Sequence, residues 1–195
     1  MNCNDTVRAF IAIEISEEVR RNISRLQADF VKTGVKVKWV KPENMHLTLL
    51  FFGETQPAAV TNIVTIMDGI TQETVPFVCE VSGMGFFGRP KSPRIVWAGI
   101  AGDVEILKSV QAGLVSSLKN SGLDLDSKPF VPHLTIGRIR DSRNAGNLIS
   151  AIEAEKNRSF GRIEVNRLVL VKSELRPTGP IYSLLHESKL NLNVA

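Results

Sequence analysis

The chain predicts an α+β fold: two pseudo-symmetric lobes from an internal duplication, antiparallel sheets flanked by helices, and an active site in the central cleft. Three observations predict it. Short strand-like apolar runs alternate with stretches whose apolar residues recur at helical spacing. The series is repeated: Val7 and Arg94 open matching strands, and His46-Leu47-Thr48-Leu49 and His133-Leu134-Thr135-Ile136 stand in matching later strands, each pair 87 residues apart. Finally, 195 residues with 43% hydrophobic and 23% charged side chains suit one large domain over residues 1–195 with a real core.

Val7 to Ile15 reads as a first strand. Behind it, EEVRRNISRLQADFVK spaces Val19, Ile23, Leu26 and Phe30 by four, three and four, an amphipathic helix that Gly34 closes. VKVKWV at 35–40 alternates as a strand, Lys41 to Asn44 is a turn, and HLTLLFFG at 46–53 is the next strand. Pro57 opens a helix carrying Val60, Ile63, Val64 and Met67, and FVCEVSGMGFF at 77–87 returns as a strand. GRPKSPR at 88–94 predicts a hinge between lobes drawn from residues 1–90 and 91–195.

The second series begins with a strand at 94–102, then Asp103 as the N-cap of a helix bearing Ile106, Leu107, Val110, Leu114 and Leu118. Gly122 ends it. A strand at 132–137, a helix at 143–156 with Leu148, Ile149 and Ile152, one long strand at 162–171 and a last strand at 181–185 complete the chain.

Composition excludes several classes. No apolar run is long enough to span a bilayer, and MNCNDTVRAFIAIEI lacks the basic opening of a secretory signal, so a cytoplasmic protein with no membrane partner is expected. Two cysteines, Cys3 and Cys79, make neither a disulfide framework nor a structural zinc site and fit a reducing compartment. A net charge of +4, from 24 basic and 20 acidic residues, favours an anionic ligand mildly.

Of three histidines in the chain, two stand in the repeated tetrapeptides. Residues i and i+2 of a strand share a face, so each strand presents an imidazole and a hydroxyl together: His46 with Thr48, His133 with Thr135. Two such strands brought across a pseudo-dyad suit in-line displacement at phosphorus. One imidazole takes a proton from the attacking oxygen, the other gives one to the leaving oxygen, and the hydroxyls hold the non-bridging oxygens. No metal and no cofactor is implied, because threonine is a poor zinc ligand, no carboxylate belongs to either tetrapeptide, and two histidines are a thin set. A lone His-x-Thr means little, but two by chance is roughly 0.01 per chain. His186 belongs to no repeat and reads as a structural or solvated side chain.

RAFIAIEI at 8–15, VKWVKPENMHLTLLFFGE at 37–54 and PHLTIGRIR at 132–140 carry a wider resemblance. With its paired motifs, the chain resembles the 2H phosphoesterase superfamily and, within it, the RNA 2′,3′-cyclic phosphodiesterases, also called 2′-5′ RNA ligases. The resemblance covers nearly the whole sequence. It implies hydrolysis of 2′,3′-cyclic phosphate ends to 2′-phosphates, a reversible 2′-5′ joining reaction, and as partners RNA with such ends or small cyclic nucleotides, acted on by a monomer. It makes His46 and His133 the acid–base pair and Thr48 and Thr135 the phosphate-binding hydroxyls. His46 then serves as acid and His133 as base, an order that the motif symmetry does not itself fix. The resemblance also gives Arg138, five residues after His133, a phosphate contact. Simple alternation turns Arg138 away, and a bulge at Gly137 would return it.

Phe52 falls on the His46 face by parity and is a candidate for stacking on a base. Lys36, Lys38, Arg89, Lys91, Arg140 and Arg143 could rim the cleft, although scattered basic residues are usually solvated surface. Two competing readings differ in class or substrate: a non-catalytic module that holds a nucleotide or RNA end, and a 2H enzyme for another nucleotide-like phosphoester. Release of product from a cyclic nucleotide separates the first from catalysis.

Overall fold

The computed structural model describes residues 6–125, 128–143 and 145–192; Cys3 lies outside them. The first apolar run forms β1 (Val7–Glu14), and the four–three–four spacing forms α1 (Glu17–Val31), with Val19, Ile23, Leu26 and Phe30 buried. Ser16 caps α1 by accepting the Val19 N–H at 3.3 Å, and Glu17 and Glu18 complement the helix dipole. There follow β2 (Val37–Trp39), a 3-10 turn (Pro42–Asn44), β3 (His46–Thr55), α2 (Pro57–Gln72) and β4 (Phe77–Arg89). The second series gives β5 (Ser92–Gly102), α3 (Val104–Asn120), β6 (His133–Ile139), α4 (Ala145–Ala154), β7 (Ser159–Val165), β8 (Arg167–Arg176) and β9 (Gly179–Lys189).

These strands make two antiparallel sheets. One has the order β3-β1-β8-β9 and is called sheet A below; the other, sheet B, has the order β2-β6-β5-β4-β7. The orders match strand for strand as β3 with β6, β1 with β5, β8 with β4 and β9 with β7. Glu14 stands opposite His46 as Gly99 stands opposite His133, so the first strands match at a separation two residues shorter than the motifs do. Among the described strands, β2 alone has no counterpart. Helices α2 and α3 pack on sheet A, α1 and α4 on sheet B, and β3 approaches β6 where the sheets meet.

Four expectations are corrected. The lobes are not residues 1–90 and 91–195: β4 from the first series lies in sheet B, and β8 and β9 from the second complete sheet A. GRPKSPR is no hinge but the tight end of the β4–β5 hairpin, with Gly88 at φ 114° and no room for a Cβ, which would come within 2.7 Å of the Ser92 carbonyl oxygen. The long strand at 162–171 is two strands that part at Asn166 into different sheets. Asp103 stands at the N-cap position of α3, but its carboxylate accepts the Val78 N–H at 2.9 Å instead of capping the helix. Among the described residues no helix is long and apolar enough to cross a membrane. Cys79 is a buried free thiol whose pKa burial, helped by Asp103, pushes up to about 11, so it stays protonated and unreactive.

Candidate active site

Both motif strands begin at their histidine, and both alternate as pleating requires. His46 and Thr48 are half-buried while Leu47 and Leu49 are buried; His133 and Thr135 are half-buried while Leu134 and Ile136 are buried. Each strand then bulges directly after its threonine. Ala12 faces Thr48 and Ile11 faces Leu50, leaving Leu49 unmatched, while Trp97 faces Thr135 and Val96 faces Gly137, leaving Ile136 unmatched. An extra residue reverses the parity of all that follows. The fifth position after each histidine therefore turns back to the cleft, and there stand Phe51 and Arg138. Arg138 lines the cleft with His46, Thr48 and Thr135. Phe52 does not: parity is broken before it, its side chain packs against the core, and the cleft-lining aromatic is Phe51, 47% exposed with the Arg8 guanidinium 4.6 Å from its ring centre.

The bulge in β6 is held from outside the motif. The Ile136 carbonyl accepts the Val40 N–H and the side-chain amide of buried Gln27, each at 2.9 Å, and the same amide donates to the Val40 carbonyl at 2.9 Å. Gly137 lies directly under β2: a Cβ there would come within 2.7 Å of the Trp39 ring and of Val37.

The two imidazoles are oriented in the same way. His46 Nδ1 lies 2.9 Å from the Asn44 carbonyl oxygen and His133 Nδ1 lies 2.7 Å from that of Val131, in each case two residues upstream. A carbonyl only accepts, so Nδ1 carries the proton in both rings and Nε2 is the atom left to exchange one. Asn44 also donates from its side chain to the Pro180 carbonyl at 3.2 Å, so it both orients His46 and ties down the β8–β9 turn.

Their surroundings differ. His46 stacks on Phe10 at 4.5 Å and meets Tyr182 edge-on at 5.3 Å, whereas His133 meets the edge of Phe87 at 4.8 Å. Burial pushes the His46 pKa down to about 4 against the opposing pull of the Asn44 carbonyl. Burial likewise raises the Tyr182 pKa, partly offset by the positive charges of Arg138 and Arg8.

His46, Thr48, Thr135 and Arg138 line one cavity of about 630 Å³. His133 is not among its lining residues; it precedes Thr135 by two on the same face of β6. Among the described residues, five basic side chains, Arg8, Lys38, Lys41, Arg138 and Arg140, line this cavity and no acidic one does. Of the possible rim residues, Lys38 and Arg140 reach it, while Lys36, Arg89, Lys91 and Arg143 do not, Arg143 being paired with Asp141. His186 Nε2 lies 2.8 Å from Asp68, which Ser188 also contacts, a tether between β9 and α2 outside the cavity. Among the described residues no three His, Cys, Asp or Glu side chains cluster as a metal site.

Sequence reasoning missed Phe10, Tyr182, Gln27, Asn44 and Arg8. Arg8 and Phe10 alternate onto one strand face, a signal of shared orientation but not of what they face. Tyr182 is the chain's single tyrosine and belongs to no repeat.

Paired His-x-Thr strands bordering a cleft between two matched sheets define a phosphoesterase of the two-histidine class. The family described as LigT-like phosphoesterase matches residues 13–97 and 102–182, and the chain belongs to that family. It is 34% identical over 177 residues to a Methanothermobacter thermautotrophicus protein named RNA 2′,3′-cyclic phosphodiesterase, covering 91% of this chain and 95% of that one. A Thermotoga maritima protein of the same name is 36% identical over 184 residues, covering 93% and 94%. Among solved structures, a Thermus thermophilus protein superposes with a TM-score of 0.79 at 27% identity, over 96% of this chain and 100% of that one. Escherichia coli LigT complexed with 3′-AMP gives 0.76 at 25% identity, over 95% and 99%.

Proposed function

We propose that this protein hydrolyses 2′,3′-cyclic phosphate ends of RNA to 2′-phosphates, with His46 and His133 as the acid–base pair. The observation that carries this reading is the shared orientation of two distant imidazoles, each with Nδ1 tied to the carbonyl two residues upstream and Nε2 available. The relatives named RNA 2′,3′-cyclic phosphodiesterase support the substrate class.

His133 Nε2 takes the proton of a water molecule whose oxygen bonds to phosphorus. The bond from phosphorus to O3′ breaks opposite it, His46 Nε2 gives O3′ a proton, and the phosphate remains on O2′. Thr48, Thr135 and Arg138 bind the non-bridging oxygens and stabilise the charge that develops there. A ring held near 4 is neutral at pH 7, so the acid role of His46 requires the substrate's own negative charge to raise its pKa. Phosphate binding and protonation of His46 are thus coupled. A 5′-hydroxyl in place of water gives 2′-5′ joining by the same proton transfers, which is the joining activity we assign. Among the described residues the cavity lining offers no carboxylate and no thiol, and the reaction is assigned without a metal.

The test is turnover of a 2′,3′-cyclic nucleotide in excess EDTA, with the product phosphate located by phosphorus NMR. A 2′-phosphate is expected, and undiminished turnover by the His46→Ala, His133→Ala double variant overturns the assignment.

A further inference from the structure

We propose that the edge formed by β2 and β6 binds the phosphodiester on the 5′ side of the terminal nucleotide, so that the preferred substrate is the end of an RNA chain and not a free cyclic mononucleotide. The proposal rests on the reading that a cyclic phosphate is processed between the two motifs.

β2 is the strand that the pseudo-symmetry does not require. It places Lys38 directly opposite Arg138 in the ladder, two like charges facing each other across neighbouring strands, an arrangement that costs stability unless an anion lies between them. Beyond the ladder the Arg140 N–H donates to the Lys36 carbonyl at 2.8 Å, which carries the pairing on to a third basic residue, and Lys41 follows β2. Lys38, Lys41, Arg138 and Arg140 all line the cavity, and among the described residues none of them has an acidic partner within ion-pair distance. Several other arginines and lysines do have acidic partners, Arg20 with Glu17 and Arg167 with Glu14 for example; what sets this edge apart is that four basic side chains converge on one cavity.

The fold also holds this edge firmly. Trp39 covers Gly137, Val40 bonds the Ile136 carbonyl, and buried Gln27 bridges both. A strand secured at three points, whose contribution to the cleft is unneutralised positive charge, fits a polyanion better than it fits stability.

The opposite wall has another chemistry. Phe51, Tyr182, Leu175 and Ile181 from sheet A line it, with Leu175 69% and Ile181 47% exposed. An aromatic and aliphatic wall suits a sugar and base, and a basic edge suits a backbone phosphate. With the terminal phosphate at Thr48, Thr135 and Arg138, the cavity has room for both. The chain then runs away from the cyclic end along β2, with Lys38 and Arg140 on its next phosphate.

The test compares a 2′,3′-cyclic mononucleotide with a cyclic-ended trinucleotide in the wild type and in the Lys38→Ala, Arg140→Ala double variant. The wild type is expected to favour the trinucleotide at least about tenfold in kcat/KM. The double variant is expected to lose that preference through KM, with kcat and the mononucleotide changed by less than about twofold. The dependence of log kcat/KM on log salt should fall by about 0.7 for each phosphate contact removed. Equal rates on both substrates in the wild type, or an equal loss on both in the variant, overturns the site. Should neither substrate turn over, the reading of the chemistry falls. Anisotropy of a fluorescent trinucleotide bearing a terminal phosphate then decides the site: weaker binding by the variant upholds it, and equal binding removes it.

Discussion

His46 and His133 occupy equivalent places in equivalent strands, down to the carbonyl that holds Nδ1 and the bulge after the threonine. Around them the two sheets diverge. On sheet A the histidine lies between Phe10 and Tyr182, and the fifth position is Phe51. On sheet B the histidine has the edge of Phe87 beside it, the fifth position is Arg138, and β2 adds Lys38. A duplication supplies the same imidazole–hydroxyl pair twice, and the proposed reaction asks one ring to act as acid and the other as base. Their neighbours differ: aromatic rings surround and desolvate His46, whereas basic side chains follow and flank the second motif.

The comparison is broken most severely by removing either ring. His46→Ala and His133→Ala should each lower kcat by about 10²- to 10⁴-fold, and the double variant by little more than the worse single, since the rings act as a unit. Steady-state rates on a cyclic nucleotide check this, and a loss confined to one histidine would make the second motif a binding element.

Next is the support of the bulge, which exists on the sheet B side. Gln27→Leu removes the side-chain donor from the half-buried Val40 carbonyl and from the buried Ile136 carbonyl, and should cost about 1–3 kcal/mol, seen as a lower denaturation midpoint. Gly137→Ala drives a Cβ into Trp39 and should shift β2 and Arg138 together, raising KM more than it lowers kcat. An unchanged KM in both variants would mean that Arg138 does not depend on β2.

The environment of His46 gives the third prediction. Its folded pKa of about 4 lies below the ordinary histidine value near 6.5, so the unfolded chain binds the proton more readily. This contribution to stability is full above about 6.5, declines as pH falls from there and is lost below about 4. Phe10→Ala, which admits water to the ring, should move the His46 midpoint in proton NMR towards 6.5, and added inorganic phosphate should move the wild-type midpoint the same way. A midpoint indifferent to phosphate would argue against the acid role.

The smallest effect concerns the residue opposite each threonine, Ala12 on sheet A and Trp97 on sheet B. The Trp97 Nε1 is buried and has no hydrogen-bond partner among the described residues. Trp97→Phe removes that unsatisfied donor and keeps an aromatic ring, so stability should change by less than about 1 kcal/mol or rise slightly. A large loss in the denaturation midpoint would show that the indole's volume, beside Gly85 and Gly99, dominates.

The motifs, their alternation up to Thr48 and Thr135, the helices with apolar faces at 19–30 and 107–118, and the repetition were legible because they depend on neighbours a few residues away. Phe52, the hinge and the lobe boundary were misread for a common reason: each depends on which distant strand a segment pairs with. A bulge belongs to the ladder between two strands, so alternation within β3 alone could not place Phe51. The exchange of β4 and β8 between sheets likewise has no local signature, because apolar strands of the same period satisfy either sheet.

The amino-acid order alone therefore determined that two imidazole–hydroxyl pairs exist and face outward from buried strands, since strand pleating follows from backbone sterics. Only the folded chain decided that Arg138 turns back to the cleft, that aromatic rings desolvate His46, and that β2 charges one wall. Those are properties of long-range pairing and burial, which no window of sequence contains.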